Sequence, residues 1–577
     1  MSNKIVWLAI NAQYVHTSLS VRYLREVSRK YAETEILELT INNHLPEMLG
    51  RIYETQPDVL GISCYIWNIE LVKKLLPLLR KVLPGTVIIC GGPEVSYNTE
   101  AFMREYPAVD YVIQGEGEIS LQGVLEHIIN HKEALPEKGV SWRSADGELH
   151  ISCAVDVHDV NEIPFPYREE EMGEIKDKIL YYETSRGCPF SCAYCLSCAT
   201  VGVRFLPIER VLREIDFFAR HNVKQIKFVD RTFNANKKHF LPILRFIKDL
   251  PDTCRTNFHF EVASDYFDEE TLEILSEFPK GRVQLEVGIQ STNEQTLKAV
   301  ARTNHLDKIT QNIRRIIEGK NIHVHTDLII GLPYEPMESF HRSFNGVYKL
   351  HSHQLQLGFL KFLSGAYMMR LVDDGEYLYQ NQAPYEVLSN KWMTYGEIHW
   401  LHIFEDVFEM YHNAGRAGRT IDYLVEAMEA GDGFRFYQKF TDWWKKKEYH
   451  HRPHSDVHLY EALYMFALEE YKELSPETVD GLLRLDLLEQ GSSHSWPSFL
   501  NWSQESMKNR IAEFWRTGRA AEYIADYRFT NWHDIRHKYH VEYFEKDPFH
   551  PNDTAKEGVC ILFDYSKDSL EWHEITL

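Results

Sequence analysis

From the N-terminus to about residue 130, short apolar runs alternate with amphipathic stretches. "KIVWLAI", "TEILELT", "PDVLGISCY", "TVIICGGPE" and "VDYVIQGEGE" are separated by segments such as "SLSVRYLREVSRKYA" and "ELVKKLLPLLRKVL", whose apolar residues recur at helical spacing. Strands split by helices of this length imply right-handed crossovers and a parallel, doubly wound sheet. In such sheets ligands sit beyond the carboxyl ends of the strands. The sharp turns fall there: Ser63 ends one predicted strand, Gly91 and Gly92 the next, and Gly115 to Glu118 a third. Glycine at these ends predicts a backbone that a bulky ligand can approach, although glycine also ends strands for steric reasons alone.

The next stretch, "GVSWRSADGELHIS", holds two alternating runs around Asp146 and Gly147 and predicts a hairpin. "VNEIPFPY" and the acidic "REEEM" read as a linker. From about residue 178 the alternation resumes through "ILYYETSRGC", "VKQIKFVDRTF", "NFHFEVASD", "RVQLEVGIQS", "VHTDLIIGLP" and "LQLGFLKFL", as in a full or partial (β/α) barrel. Beyond residue 366 come aromatic-rich helical stretches, "EALYMFALEEYKEL" and "SMKNRIAEFWRTGRAAEYIADY", with no strand pattern until "GVCILFDYS". The predicted class is α/β: a Rossmann-like sheet domain over 1–135, a hairpin and linker over 136–177, a partial barrel over 178–365 and a mostly helical region over 366–577.

Composition narrows the setting. A chain of 577 residues exceeds a single core and should divide into several domains. It shows no uninterrupted apolar run long enough for a bilayer. "MSNKIVWLAINAQ" has too short an apolar core for a secretory signal and reads as a buried first strand, so a cytoplasmic protein with no membrane partner is expected. Nine cysteines, four of them within eleven residues, argue for metal or redox chemistry in a reducing compartment rather than a disulfide framework. The net charge of −22 opposes nucleic acid as a partner, and the basic "WWKKKEYHHRPH" reads as a solvated helix end.

Those clustered cysteines carry the chemistry. In "TSRGCPFSCAYCLSC", Cys188, Cys192 and Cys195 read CxxxCxxC, with Tyr194 just before the third thiol and Cys198 three residues after it. Zinc takes four closed ligands, commonly two CxxC-like pairs well separated in sequence, and remains the alternative. A four-iron cluster held by three thiolates keeps one iron for another ligand, and Cys198 then reads as a neighbouring non-ligand thiol, with a catalytic or alternative-ligand role as the other reading.

The triad after a strand, followed by ordered barrel strands, resembles the signature of the radical S-adenosylmethionine superfamily. "LEVGIQS" resembles its fourth-strand motif through Glu286, Gln290 and Ser291. "DLIIGLPYE" resembles the fifth through Ile330, Gly331 and Glu335. The resemblance implies a 4Fe-4S cluster on Cys188, Cys192 and Cys195. It also implies S-adenosylmethionine contacts from Tyr194, Asp230, Glu261, Glu286, Gln290, Arg302, Ile330 and Gly331; each of the acidic residues could instead face solvent or pair with a lysine. "PDVLGIS", "VIICGGPE" and "VDYVIQGEGE" resemble the cobalamin-binding domain that precedes the radical domain in one class of the superfamily, which implies cobalamin along Ser63, Gly91, Gly92, Gly115 and Glu116. One departure stands out. Such domains that supply a histidine to cobalt carry DxHxxG, whereas "NAQYVHTSLS" has His16 without the aspartate or the glycine.

The C-terminal region resembles an uncharacterised extension found in a bacterial subgroup. What the resemblance implies overall is reductive cleavage of S-adenosylmethionine to a deoxyadenosyl radical, with an external donor of flavodoxin or ferredoxin type, and modification of an unactivated carbon of a small-molecule or peptide substrate. C-methylation is favoured over rearrangement or ring closure. Two alternatives stay open: a methylthiotransferase, which would place a second cluster on Cys64, Cys90 and Cys153, and a non-catalytic electron-transfer or scaffold protein.

Overall fold

The computed structural model describes residues 3–157, 159–199, 202–372, 375–491, 496–503, 506–525, 527–529, 531–552, 557–567 and 570–577. They form two compact units, Met1–His399 and Trp400–Leu577.

The first unit opens with a sheet in which β1 (Lys4–Asn11), β2 (Glu33–Thr40), β3 (Val59–Ser63), β4 (Val87–Gly91) and β5 (Tyr111–Ile113) run parallel. Its order is β2-β1-β3-β4-β5, continued by β6 (Val140–Arg143) and β7 (Leu149–His150). The run "IVWLAI" is apolar throughout because β1 is buried on both faces: Val6, Leu8 and Ile10 enter one core and Ile5, Trp7 and Ala9 another. Helices Leu45–Thr55 and Ile69–Val82 close the first core, and Leu19–Ser28 and Gly117–Asn130 close the second. The hairpin that the sequence grouped with the linker belongs here instead. β6 pairs antiparallel with β5 and β7 with β6, which makes the sheet mixed at that edge.

A second sheet of six parallel strands follows: β8 (Ile179–Tyr182), β11 (Gln225–Phe228), β12 (Asn257–Glu261), β13 (Val283–Gln290), β14 (His323–Ile330) and β15 (Gln354–Phe359). It is a partial barrel in sequential order, with a short antiparallel hairpin, β9 (Ser185–Gly187) and β10 (Val203–Phe205), between its first two strands. Along β14 the buried positions are Val324, Thr326, Leu328 and Ile330, while His323, His325 and Asp327 alternate with them on the other face. The same period puts Gln284, Glu286, Gly288 and Gln290 together on one face of β13. A bulge between Gly288 and Gln290 turns the end of that strand, with Gln290 at φ 71°. At the β8 edge, the loop after β1 continues the sheet: His16 bridges Ile179 in parallel, and the Ile179 N–H donates to the Val15 carbonyl at 2.8 Å. A last hairpin, β16 (Tyr377–Tyr379) and β17 (Val387–Asn390), follows the barrel.

The second unit packs helices Gly418–Glu429, Gly433–Lys446, Asp456–Glu470 and Pro476–Glu489 with an antiparallel sheet of β18 (Tyr539–Lys546), β19 (Glu557–Asp564) and β20 (Glu571–Ile575). The sequence showed only the middle strand. In β18 the apolar alternation starts directly after helix Trp532–Lys538, without a break to mark the change of period. Among the described residues, no helix is long and apolar enough to cross a membrane.

Candidate active site

The loop between β9 and β10 carries the three cysteines. Cys192 is buried, Cys188 and Cys195 are half-buried, and none is disulfide-bonded. The loop is pinned at its middle: the Ala193 N–H donates to the Val300 carbonyl at 2.9 Å, and the Ala193 carbonyl accepts from the Met368 N–H at 2.8 Å. The side chain of Cys198 lies outside the described residues.

All three thiols face one cavity of about 200 Å³, whose walls also include Tyr194, Arg231, Glu261, Glu286, Gln290, Arg302 and Asp327. Of the residues proposed from sequence for S-adenosylmethionine, Tyr194, Glu261, Glu286, Gln290 and Arg302 thus meet at the cysteines. Arg302 reaches back to the loop. Its Nη1 lies 3.6 Å from Cys192 Sγ, its Nη2 donates to the Gly288 carbonyl, and its guanidinium sits over the Phe190 ring at 5.9 Å.

Three carboxyl groups line the wall, each in a different electrical state. Glu286 lies 3.0 Å from Lys227 Nζ and 3.1 Å from His259 Nε2; against the cost of burial, His259 and Lys227 hold its pKa down to about 2. Glu261 has no such cation in contact, and burial followed by repulsion from Glu286 pushes it up to about 7. Burial, then Glu286 and Glu261, raises Asp327 well above the usual carboxylate range, and its Oδ1 is buried without a hydrogen-bond partner. A buried acid lacking a partner at a cavity wall is a group shaped for a ligand. Asp327 and Lys227 escaped the sequence reading. The signal was the strict alternation of "HVHTDLII" and "QIKF", whose polar face is here turned to the barrel interior.

Asp230, Ile330 and Gly331, predicted as cofactor contacts, stay off the cavity wall, as does Glu335 of the fifth-strand motif. Asp230 is 1% exposed and fully engaged, accepting from Thr184 N at 2.9 Å, Thr184 Oγ1 at 2.7 Å and Ser185 Oγ at 2.6 Å. It ties the end of β11 to the start of the cysteine hairpin. Ile330 is completely buried, its carbonyl taken by the Leu360 N–H, and the Gly331 carbonyl accepts from Asn390. Glu335, also fully buried, accepts from Ser291 at 2.7 Å and Ser343 at 2.8 Å, and so joins the ends of β13 and β14.

In the first sheet the glycines divide. A Cβ on Gly92, at φ 114°, would fall 2.4 Å from the Cys64 carbonyl oxygen, and one on Gly115, at φ 80°, would fall 2.4 Å from that of Val155. At these two the chain's own backbone leaves no room for a side chain. Gly91 meets nothing nearer than 3.5 Å, and Ser63 Oγ makes only a 3.4 Å bond to the Leu8 carbonyl. Beside them Tyr65 and Trp67 stack at 4.5 Å with Trp67 45% exposed. Glu116 is gripped by Arg204, and His16 Nδ1 lies 2.8 Å from the Tyr181 hydroxyl at the barrel edge. Cys64 and Cys90 are wholly buried in the sheet core while Cys153 is exposed.

The donor set fits the implied groups in part. Three free thiols lining one cavity suit a four-iron cluster held by three thiolates. Asp327 offers an unpartnered carboxyl oxygen to S-adenosylmethionine, and Glu261 lines the same cavity. For cobalamin, Ser63, Gly91 and the Tyr65–Trp67 loop remain open at the carboxyl edge, whereas Gly92, Gly115 and Glu116 are occupied by the protein.

Comparison with known proteins agrees. Residues 5–125 match the B12 binding domain, 182–345 the radical SAM superfamily, and 374–563 a protein of unknown function, DUF4080. The chain is 30% identical over 324 residues to 2-(S-pantetheinyl)-carbapenam-3-carboxylate methyltransferase of Streptantibioticus cattleyicolor, covering 52% of this chain and 46% of that protein. It is 28% identical over 332 residues to the cobalamin-dependent radical SAM methyltransferase TokK of Streptomyces tokunonensis, covering 53% and 47%. The matched region spans about half the length of these relatives. Among solved structures, the cobalamin-dependent S-adenosylmethionine radical enzyme OxsB with aqua-cobalamin bound superposes with a TM-score of 0.58 at 14% identity over 89% of this chain and 84% of that one, a likeness of fold.

Proposed function

We propose that this chain, which carries a B12-binding domain, a radical SAM domain and a DUF4080 segment, is a cobalamin-dependent radical S-adenosylmethionine enzyme that methylates an unactivated carbon. The observation that supports it best is the single cavity shared by the cysteine triad and the wall of Glu261, Glu286, Gln290, Arg302 and Asp327. Bound together, cluster and S-adenosylmethionine supply a deoxyadenosyl radical, and cobalamin supplies a transferable methyl group.

The chain's own work is placement and proton bookkeeping. Cys188, Cys192 and Cys195 would hold the cluster, with Arg302 fixing the loop against the end of β13. Glu286, held ionised by His259 and Lys227, would accept hydrogen bonds from hydroxyl or ammonium groups of the cofactor. Asp327, its carboxyl raised by burial and by Glu286 and Glu261, would present its unpartnered Oδ1 to the cofactor. Phe190 and Val262 contribute apolar wall, which keeps water from reactive species. Ser63, Gly91 and Trp67 would receive the corrinoid. The substrate is a small molecule or peptide, and the electron comes from a flavodoxin- or ferredoxin-type protein.

The test is anaerobic reconstitution with iron, sulfide and cobalamin, then S-adenosylmethionine and a strong reductant, with Cys192→Ala as control. Deoxyadenosine together with cobalamin-dependent S-adenosylhomocysteine from wild type alone is expected. Neither product from a protein with an intact cluster would favour the electron-transfer or scaffold reading.

A further inference from the structure

The cysteine hairpin contains a pairing that its own two strands disfavour. In the register of β9 and β10, Arg204 lies directly opposite Arg186. Like charges abreast on adjacent strands destabilise an antiparallel ladder, and both side chains are largely buried, at 12% and 20% exposure. Their neutralisation comes from two sides, the first sheet and the end of β8. Glu116, where the β5 turn meets helix Gly117–Asn130, grips Arg204 at two points, Nη2 to Oε1 at 2.6 Å and Nη1 to Oε2 at 2.9 Å, and lies 3.4 Å from Arg186 Nη1. Glu118 and Glu183 take the other side of Arg186, at 2.5 and 2.7 Å from Nη2.

Glu116 is itself held rigidly. Its Oε2 accepts from the Val157 N–H at 2.5 Å, and its own N–H donates to the Val155 carbonyl at 2.9 Å, the group that packs against Gly115. Of these carboxylates only Glu116 spans both strands of the hairpin. Gln in its place would take from Arg204 the carboxylate that grips it, beside an Arg186 still held by Glu118 and Glu183, a loss that packing alone does not replace.

We propose that Glu116 is a positioning residue for the cysteine loop: by bridging Arg186 and Arg204 it makes the register of the hairpin that carries Cys188, Cys192 and Cys195 depend on the turn at Gly115 in the first sheet. The geometry of the clasp stands by itself; its consequence for a cluster rests on the function proposed above. The B12-binding domain is then part of the cysteine site, tied to it by charge.

Two measurements on the full chain decide the matter, each on wild type, Glu116→Gln and the double variant Glu116→Gln/Arg204→Gln. The first is amide hydrogen exchange of residues 185–187 and 203–205 in the metal-free protein. The second is the rate at which a chelator strips the reconstituted cluster, with the electron paramagnetic resonance line shape of the reduced cluster beside it. Glu116→Gln should speed both exchange and stripping by about tenfold and broaden the resonance. The double variant, with one facing cation removed, should return both rates to within about twofold of wild type. Wild-type exchange in Glu116→Gln, or a double variant no better than the single, overturns the proposal. If wild type takes up no cluster, the functional reading falls, and the exchange comparison alone still judges the clasp.

Discussion

Asp230→Ala separates a buried tie from a cofactor contact. The carboxylate accepts three hydrogen bonds, from Thr184 N, Thr184 Oγ1 and Ser185 Oγ. In the alanine variant the two hydroxyls can rotate toward other acceptors, but the Thr184 N–H is fixed by the end of β8 and cannot. A buried donor left alone costs about 1–3 kcal/mol, and each hydrogen bond to a charged acceptor contributes about 1.5–3 kcal/mol. Part of this is offset, since burial already raises the Asp230 pKa and removing the group ends that penalty. The net expectation is a local destabilisation of about 3 kcal/mol, with Asp230→Asn near 1 kcal/mol because one oxygen still accepts. A two-unit chain need not unfold in one step, so the primary assay is exchange protection of the Thr184 amide in the metal-free protein, with calorimetric binding of S-adenosylmethionine measured alongside. Protection should fall by about a hundredfold in the alanine variant. An unchanged Thr184 amide together with lost S-adenosylmethionine affinity would refute the reasoning and make Asp230 a direct contact.

Three further outcomes follow from the same geometry. Gly92→Ala should destabilise the first sheet by about 2–4 kcal/mol, since its Cβ meets a backbone carbonyl at positive φ, while Gly91→Ala should fold normally and weaken cobalamin binding; paired melting and corrinoid titration check both. Glu261 is neutral below its pKa of about 7, so S-adenosylmethionine affinity should rise about threefold between about pH 6 and about pH 8 and become flat in Glu261→Gln. Because the folded chain keeps on Glu261 a proton that the unfolded chain loses above 4.5, stability should decline from pH 4.5 to about 7, and the same variant should remove that decline in pH-dependent melting. Lys227→Met should let the Glu286 carboxyl rise from about 2 and weaken S-adenosylmethionine binding by about tenfold, read by calorimetry; unchanged affinity would show that Glu286 does not meet the cofactor.

What could be read from the sequence follows the range of the interaction. The parallel strands were visible because β1 and β3 are apolar on both faces. The cysteine triad was visible because its spacing is local, and the cavity wall because Glu261, Glu286 and Gln290 sit at strand ends that motifs locate. Contacts made across the chain were not visible: Asp230 meets Thr184 at a separation of 46 residues and Glu116 meets Arg204 at 88. Nothing in the sequence neighbourhoods of those two carboxylates announced these protein partners. The polar face of β14 was not singled out, since a polar face on a strand ordinarily means solvent, whereas here Asp327 lines the cavity inside a partial barrel.

The loop after β1 that lies along Ile179 has a consequence for handling the protein. Strand β8 is the end of the second sheet, and its outer edge would present unpaired backbone groups to other molecules were it not covered by Val15, His16 and Thr17. A fragment cut at the linker to isolate the barrel would strip that cover and leave Ile179–Tyr182 as a sticky apolar template for intermolecular strand pairing. Domain dissection and chimera design should therefore keep residues 1–18 with the barrel, and light scattering of a fragment starting at residue 178 should show self-association that the longer chain does not.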